Sequence, residues 1–115
     1  MEADSNIIFK VVSAAQWAIA QEQGEFRGAE IDLTDGYIHF STAGQVRETV
    51  EKHFAGQPGL LLVGVDVRKL NDALKYEPSR GGDLFPHLYG VLNLEAAVSV
   101  DELLIGKDGK HIFPC

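Results

Sequence analysis

Cysteine is almost absent from this chain: the one cysteine is Cys115, the last residue. A single cysteine can form neither an internal disulfide nor a cysteine-based zinc site. The sequence has no apolar run long enough to span a bilayer, and its start, "MEADSN", lacks the basic and apolar regions of a secretory signal. We therefore expect a cytoplasmic protein with no membrane partner.

Positive charge is also scarce. Ten Lys and Arg residues against 17 Asp and Glu residues give a net charge of -7, which argues against a nucleic-acid-binding surface. Neither the Walker A nor the Rossmann glycine pattern occurs. At 115 residues and 45% hydrophobic composition, the chain is expected to form one domain, residues 1–115, with a real core.

The first half of the sequence predicts two helices and two strands. A strand over residues 7–12 leads to Ser13, an N-cap with Gln16 at capping-box spacing, and Gly24 ends the helix. The side chains of this helix expected to face the core are Ala14, Trp17, Ala18 and Ile19. Residues 25–34 are expected to be irregular, followed by a strand over residues 37–40.

The second predicted helix begins after Thr42 and Gln45, and its apolar face is Val46, Val50 and Phe54. A buried central strand is then predicted over residues 60–67 and a short strand over 74–77. Residues 78–87 are expected to form a loop. The chain is expected to return to strand by residues 97–100 and to end in a hairpin through Asp108-Gly109. Two helices with five or six strands, and no strict alternation, indicate an α+β domain with a mostly antiparallel sheet.

One set of polar residues stands out in "DGYIHFSTAGQV". Tyr37, His39 and Ser41 alternate with the apolar Ile38 and Phe40, so they share one face of the predicted strand. An exposed strand face would explain this pattern without any function. The strand is expected to run into a helix N-terminus at Ser41 and Thr42, however, where free N–H groups suit an anionic or carbonyl group of a ligand.

Two later segments carry further candidates. In "FPHLYG", His87 and Tyr89 would project to one side if the segment is extended, although a packed aromatic corner is an equal explanation. Glu77 ends a strand before a Gly-rich loop that contains Arg80, a position typical of a scaffold-held but accessible acid.

Two histidines are given no functional role. His53 lies in the last turn of a predicted helix and His111 lies beyond a hairpin tip. A metal site built from His39, Glu77 and His87 is a third alternative, because two His and one carboxylate can ligate zinc or iron. Their wide separation and the absence of a His-x-x-x-His pair favour a site without metal.

The run "GYIHFST", then Gln45, then "KYE" and "FPHLYG" resembles domain of unknown function 952 over nearly the whole chain. That resemblance implies a split-sheet fold similar to ADP-ribosyltransferases and RNA 2'-phosphotransferases, which handle NAD-like ligands. It matches Ser41 with Thr42 to the second motif of those enzymes and Glu77 to their later acidic residue. Lys10 stands where their first motif has Arg or His.

The resemblance implies that the chain binds NAD or a related nucleotide as substrate, and transfers an ADP-ribosyl or phosphate group. His39 and Glu77 would be catalytic, the first as an acid-base group and the second as the carboxylate facing an oxocarbenium ion. The residues expected to bind ligand are Lys10, Tyr37, Ser41, Thr42, Arg80, His87 and Tyr89. The alternative is a non-catalytic binding or interaction module, favoured by Lys10 in place of Arg or His.

Overall fold

The computed structural model describes residues 6–70 and 72–114. Within these residues the α-helices are α1 (Ala14–Gln23), α2 (Glu30–Asp35) and α3 (Val46–His53). The strands are β1 (Ile7–Ser13), β2 (Glu25–Phe26), β3 (Ile38–His39), β4 (Ser41–Thr42), β5 (Leu60–Asp66), β6 (Leu74–Pro78), β7 (Leu84–Leu88), β8 (Leu92–Asn93), β9 (Ala97–Ile105) and β10 (His111–Ile112). None of the described helices is long and apolar enough to cross a bilayer.

The strands form three sheets in which every pairing between described residues is antiparallel. The largest has the order β10-β9-β5-β1-β4, a second has the order β3-β7-β6, and β2 pairs with β8. β5 lies in the middle of the largest sheet and is buried along most of its length, as its apolar sequence predicts. A mixed α and β fold dominated by antiparallel sheet is confirmed.

The core occupies both faces of the largest sheet, because β1 alternates its side chains between two clusters. Ile8 and Val12 pack with Trp17 of α1 in the first cluster. Phe9 packs with Val50 of α3 in the second. β4 pairs with β1 only at Ile8 and Phe9, so β1 has no β4 neighbour further along.

α1 follows its predicted boundaries but not its predicted face. Ser13 and Gln16 form the capping box, and Gly24 ends the helix in the left-handed region at φ 78. The buried positions are Trp17 and Ala20. The expected inward placing of Ala14, Ala18 and Ile19 is wrong, since all three are exposed. Residues three apart share a helix face, and only the face through 17 and 20 meets the sheet.

α2 is absent from the sequence prediction, which treats residues 25–34 as irregular. This helix spans only six residues and has no apolar face of its own, because Ile31 and Leu33 are both exposed. Its buried residue is Asp32, and Gly36 ends it at φ 86. A short helix whose inward residue is charged lacks the apolar periodicity on which sequence prediction depends.

The predicted junction of a strand with a helix N-terminus at Thr42 is wrong. Thr42 belongs to β4, and α3 begins four residues later at Val46. The capping-box spacing is real only in part: the Gln45 side chain accepts from the Thr42 N–H at 3.0 Å, but the Thr42 side chain caps nothing in α3. The predicted apolar face is confirmed by the burial of Val46 and Val50.

The predicted loop over residues 78–87 is wrong in its second half, where β7 runs through Pro86. Pro86 has no N–H, but its carbonyl accepts from the Phe40 N–H at 2.9 Å and its backbone faces Tyr76 of β6. The hairpin at Asp108-Gly109 is confirmed, since β10 pairs with the end of β9.

Candidate functional site

Asp32 is the centre of a buried polar cluster, and its side chain is only 1% exposed. Lys10 donates to its Oδ1 at 3.0 Å and to its Oδ2 at 2.9 Å. The Ala29 N–H donates to Oδ2 at 2.7 Å, and the His39 N–H donates to Oδ1 at 3.1 Å. His39 Nδ1 adds a further contact to Oδ1 at 2.7 Å. Residues from β1, α2 and β3 therefore meet on one carboxylate.

The electrostatics keep this carboxylate ionised. Burial by itself would raise the pKa of Asp32, but the bond from His39, the charge of Lys10 and the Ala29 N–H together lower that pKa to about 2. For Lys10, burial lowers the pKa more than the neighbouring Asp32 charge raises it. Each charge is acceptable inside the protein because the other one is there.

His39 is the partly accessible member of this cluster, with its side chain 29% exposed. An ionised carboxylate can only accept, so Nδ1 carries the hydrogen that it shares with Asp32. Nε2 lies 3.0 Å from Asp35 Oδ2, a contact that is an ion pair only when the ring is protonated. The Asp32 bond fixes the ring orientation in the way that a carboxylate orients an acid-base histidine.

Four aromatic rings lie together on one face of the β3-β7-β6 sheet. Tyr37 stacks on His87 with 4.2 Å between ring centroids and tilts against His39 at 4.7 Å and Tyr89 at 5.1 Å. The reason is register, because His39 of β3 faces His87 of β7 directly. Two segments nearly 50 residues apart therefore supply one aromatic surface.

Glu77 completes that surface from β6. Its Oε1 accepts from the Tyr89 hydroxyl at 2.7 Å and lies 2.9 Å from His87 Nδ1. The Tyr89 bond, followed by the His87 bond, lowers the pKa of Glu77 below its usual value. The same bond to Glu77, with some burial, raises the pKa of Tyr89 to about 12. Glu77 is therefore a fixed, ionised carboxylate.

A cavity of about 410 Å³, called the main cavity below, opens beside His39. Its polar lining includes Lys10, His39 and Ser41 from the sheets and Thr49 and His53 from α3. Its apolar lining consists of Phe9, Val11, Ile31, Phe54 and Phe85. Ser41 Oγ and Thr49 Oγ1 lie 2.9 Å apart, so the wall carries a bonded pair of hydroxyls.

The predicted site residues fall into two connected groups. Lys10, His39 and Ser41 line the main cavity. The second group is the aromatic surface with its carboxylate, formed by Tyr37, His87, Tyr89 and Glu77. The Tyr37 and His87 rings contact His39 and so connect this surface to the first group. Thr42 is in neither group, because its N–H bonds to Gln45 and its backbone pairs with Ile8. The Arg80 side chain lies outside what the structure describes.

Three residues that matter here have no role in the sequence prediction: Asp32, Thr49 and His53. A signal for Asp32 existed, since Lys10 sits at an inward position of an apolar strand and a buried Lys needs an anionic partner. His53 was expected only to complement a helix end, yet it follows Thr49 by four residues and lines the same wall.

Within the described part of the chain, no three or more His, Cys, Asp or Glu side chains are grouped to hold a metal ion. His39, Glu77 and His87 are close, but Glu77 and His87 are bonded to each other. The described residues place oriented imidazole and carboxylate groups next to a partly apolar cavity.

Comparison with known proteins gives a family and solved structures. Residues 11–100 match the family described as "Protein of unknown function (DUF952)". The crystal structure of protein CC0527 from Caulobacter crescentus is 42% identical, covers 92% of this chain and 93% of that chain, and superimposes with a TM-score of 0.88. The solution NMR structure of the same protein is 42% identical over 91% and 90% of the two chains, with a TM-score of 0.82. No curated protein matches the chain.

Proposed function

The chain belongs to the DUF952 family, and we propose that it binds NAD or a related nucleotide at the main cavity and transfers an ADP-ribosyl or phosphate group. The observation that carries the proposal is the placing of His39. Its ring is oriented by the buried Asp32, borders the main cavity, and touches the surface that holds Glu77. The antiparallel sheets are compatible with the ADP-ribosyltransferase-like fold that the sequence resemblance implies.

The cavity supports a small-molecule ligand through its size and lining. A volume of about 410 Å³ lies within the usual range of ligand pockets, which runs from roughly 300 to 1,000 Å³. Phe54 and Phe85 offer apolar contact for a ring, while Ser41 and Thr49 offer hydroxyls for a ribose or an amide. A nucleoside needs both kinds of contact.

The transfer step would break the bond between the nicotinamide nitrogen and the ribose carbon. The bonding electron pair leaves with nicotinamide, and the ribose develops oxocarbenium character that the fixed Glu77 carboxylate stabilises. The acceptor then bonds to the ribose carbon, and His39 takes the acceptor's proton. Tyr37 and Tyr89 would contact the nicotinamide ring beside Glu77.

Lys10 is not the partner that we propose for the phosphates of the nucleotide. The Lys10 ammonium is bound by both oxygens of Asp32, so Lys10 acts by holding Asp32 and, through it, His39. In the proposal, Arg80 receives the pyrophosphate, as the sequence prediction has it. In the proposal, His87 contacts the ligand as part of the aromatic surface beside Glu77, and Thr42, whose N–H bonds to Gln45, has no direct contact with it. The expected cytoplasmic location stays a prediction.

A second candidate function is a non-catalytic binding module. The favouring observation is that the groups best suited to chemistry already bond within the protein: Glu77 to His87 and Tyr89, and Asp32 to Lys10 and His39. A ligand would then bind in the main cavity without displacing these bonds. This candidate differs from the first in turnover and not in binding.

One experiment separates the two. The protein is titrated with NAD and with ADP-ribose while amide NMR shifts are followed, and nicotinamide release is measured by chromatography. Transfer predicts shifts near residues 37–42 and 77–90 and a release rate that falls about 100-fold or more in Glu77→Gln. Glu102→Gln, an exposed change on β9, is the matched control and should change neither.

Binding without release in the wild-type protein would support the module and remove the transfer step. If millimolar NAD and ADP-ribose perturb no amide in either segment, nucleotide binding at this site is refuted. His39→Ala should weaken the shifts around the main cavity in either case, because the ring forms part of its wall.

A further inference from the structure

β9 has a strand neighbour along only part of its outer edge. It spans nine residues, and its inner edge pairs with β5 from Ala97 to Leu103. On the outer edge, β10 pairs with Leu104 and Ile105. Within residues 6–70 and 72–114, no other strand pairs with the outer side of residues 97–103, called the open edge below. The main cavity is lined by residues of other elements, so the open edge is separate from the candidate site and does not depend on the proposed function.

The hydrogen bonds of the last hairpin show which main-chain groups face the open edge. The Gly106 N–H donates to the Lys110 carbonyl at 2.8 Å, so Gly106 directs its main-chain groups toward the β10 side. This direction alternates from residue to residue along a strand, so Glu102 and Val100, at even separations from Gly106, direct theirs to the same side. No hydrogen bond joins these outward groups to another described residue. Val100 and Glu102 therefore offer main-chain donors and acceptors at the spacing that an added strand uses.

The open edge is acidic on both faces. Asp101 and Glu102 are neighbours, so their side chains lie on opposite faces of β9, and both residues are exposed. No ion pair or hydrogen bond joins either carboxylate to another described residue. The sequence of β9 contains neither Lys nor Arg. Opposite charges directly across two strands stabilise their pairing and like charges destabilise it, so the open edge favours a strand with two adjacent cations.

Exposed apolar side chains adjoin these acids on one face of the sheet. Val100 and Leu104 are an even number of positions apart, and Ile112 of β10 faces Leu104 directly, so all three lie on the same face. All three are exposed. A β-branched residue opposite Val100 would cover part of this apolar surface. An added strand would therefore gain main-chain bonds, charge pairing and apolar contact together.

We propose that the open edge of β9 binds an extended basic segment of another protein as an added antiparallel strand. The segment carries two adjacent Lys or Arg residues opposite Asp101 and Glu102, and a β-branched apolar residue opposite Val100. Its main chain pairs with the outward N–H and carbonyl groups of β9. A second copy of this chain is a poorer occupant, because it would bring the same acidic strand and a further net charge of -7 to the edge. Acidic residues thus keep like strands away from an edge and still admit a basic one.

The test uses the full chain and the capped peptide Thr-Lys-Lys-Val-Thr-Val-Thr, which is titrated while amide NMR shifts are followed. In antiparallel register its two lysines lie opposite Glu102 and Asp101, and its first valine lies opposite Val100. Shifts should centre on residues 97–105. A second peptide is N-methylated at that valine, which keeps both charges but removes the N–H that pairs with the Val100 carbonyl. The second peptide should bind about 10-fold more weakly, or less tightly still.

Val100→Pro makes the matching change in the protein. Proline removes the outward N–H and leaves the bonds between β9 and β5, because that N–H does not face β5. Peptide binding should fall about 10-fold, whereas Val100→Thr, which keeps the N–H and a branched side chain, should bind nearly as the wild type does. Asp101→Asn and Glu102→Gln should each weaken binding roughly 2- to 5-fold. Glu22→Gln, an exposed change on α1, removes the same charge and should have no effect.

Equal binding of the two peptides would show general charge attraction and would overturn strand addition without relying on any variant. Equal binding by Val100→Pro and Val100→Thr would overturn it as well. If the first peptide at millimolar concentration shifts no amide in residues 97–105, the two acids only keep the edge unpaired and the proposal is wrong. Sedimentation that shows a dimer of the wild-type chain, lost in Val100→Pro, would assign the edge to a second copy instead.

Discussion

Asp32 binds the Lys10 ammonium through both of its carboxylate oxygens, at 3.0 and 2.9 Å, although the two residues are 22 positions apart. Neither side chain is more than 8% exposed. The pair ties α2 to β1, and the same carboxylate orients His39. The stability of the fold and the geometry of the candidate site therefore depend on one buried group.

Replacing Asp32 by Asn should be strongly destabilising. The amide cannot neutralise Lys10, and its NH₂ group would face hydrogen-bond donors where an oxygen now accepts. Breaking a buried ion pair in this way costs about 3 to 5 kcal/mol of unfolding free energy, measurable by denaturant titration. Asp35→Asn is the control: its carboxylate is 42% exposed, and the loss should stay within about 1 kcal/mol. Equal losses in the two variants would contradict this account.

The same carboxylate should make stability depend on acid pH. The pKa of Asp32 is about 2 in the folded protein against an ordinary value of 3.8, so the folded state holds this proton less tightly. Its contribution is therefore complete above about pH 4 and is lost as the pH falls toward 2. Because a protonated Asp resembles Asn, the stability difference between wild type and Asp32→Asn should narrow by about 2 kcal/mol over that window.

The comparison with Asp32→Asn is needed because other acids titrate in the same range. A hydrogen bond from Arg68 lowers the pKa of Asp66 to about 2 as well. When Asp66→Asn is introduced into both the wild type and Asp32→Asn, the stability difference between the two proteins should therefore still decrease by the same amount as the pH falls. A difference that stays constant from pH 6 to pH 2 would show that Asp32 is not the responsible group.

Gly28→Ala should disturb Asp32 without touching its charge. Gly28 has φ +121, and an added Cβ would lie 2.9 Å from the Asp32 Cβ. Gly24→Ala is the matched control, since Gly24 also has a positive φ, of +78, but has open space around it. Backbone strain alone should cost Gly24→Ala about 1 to 2 kcal/mol. Gly28→Ala should lose more than this from strain as well, because φ +121 lies further from the left-handed region, so the His39 ring is the readout that reports the contact with Asp32. Only Gly28→Ala should shift the ring NMR signals of His39. Similar behaviour of both variants would mean that the contact with Asp32 is easily relieved.

Local signals in the sequence are enough to predict the elements that depend on neighbouring residues. The Ser13 and Gln16 capping box, the Gly24 helix end and the Asp108-Gly109 hairpin each need only a few adjacent positions. The burial of β5 follows from its composition alone. Thr42 shows the limit of such signals: its spacing to Gln45 suits a cap, but pairing with Ile8 of β1 draws it into a strand.

The site depends on long-range contacts, and these are less predictable. The sequence motifs indicated that His39, Glu77, His87 and Tyr89 belong together, and β7 brings them to one sheet face. No local pattern connects Lys10 with Asp32, because an acid in an apparently irregular segment is normally a surface residue. The lining of the main cavity by α3 was also not predictable, since it depends on where β4 ends and on which face of α3 lies toward the cavity.

Tyr89→Phe isolates the hydrogen bond that most affects Glu77. The phenylalanine ring can keep its place beside Tyr37, 5.1 Å between centroids, but it cannot donate to the carboxylate. Because the Tyr89 bond is the largest cause of the lowered pKa of Glu77, that pKa should rise toward its ordinary value of 4.5, with the His87 bond still holding it somewhat below. NMR titration of the Glu77 side-chain carboxyl measures the change. Tyr76→Phe is the control, because β6 turns this residue to the opposite face from Glu77, and it should leave the titration unchanged. An unaltered Glu77 titration in Tyr89→Phe would mean that His87 alone keeps the carboxylate ionised, and the role of Tyr89 would then be limited to packing.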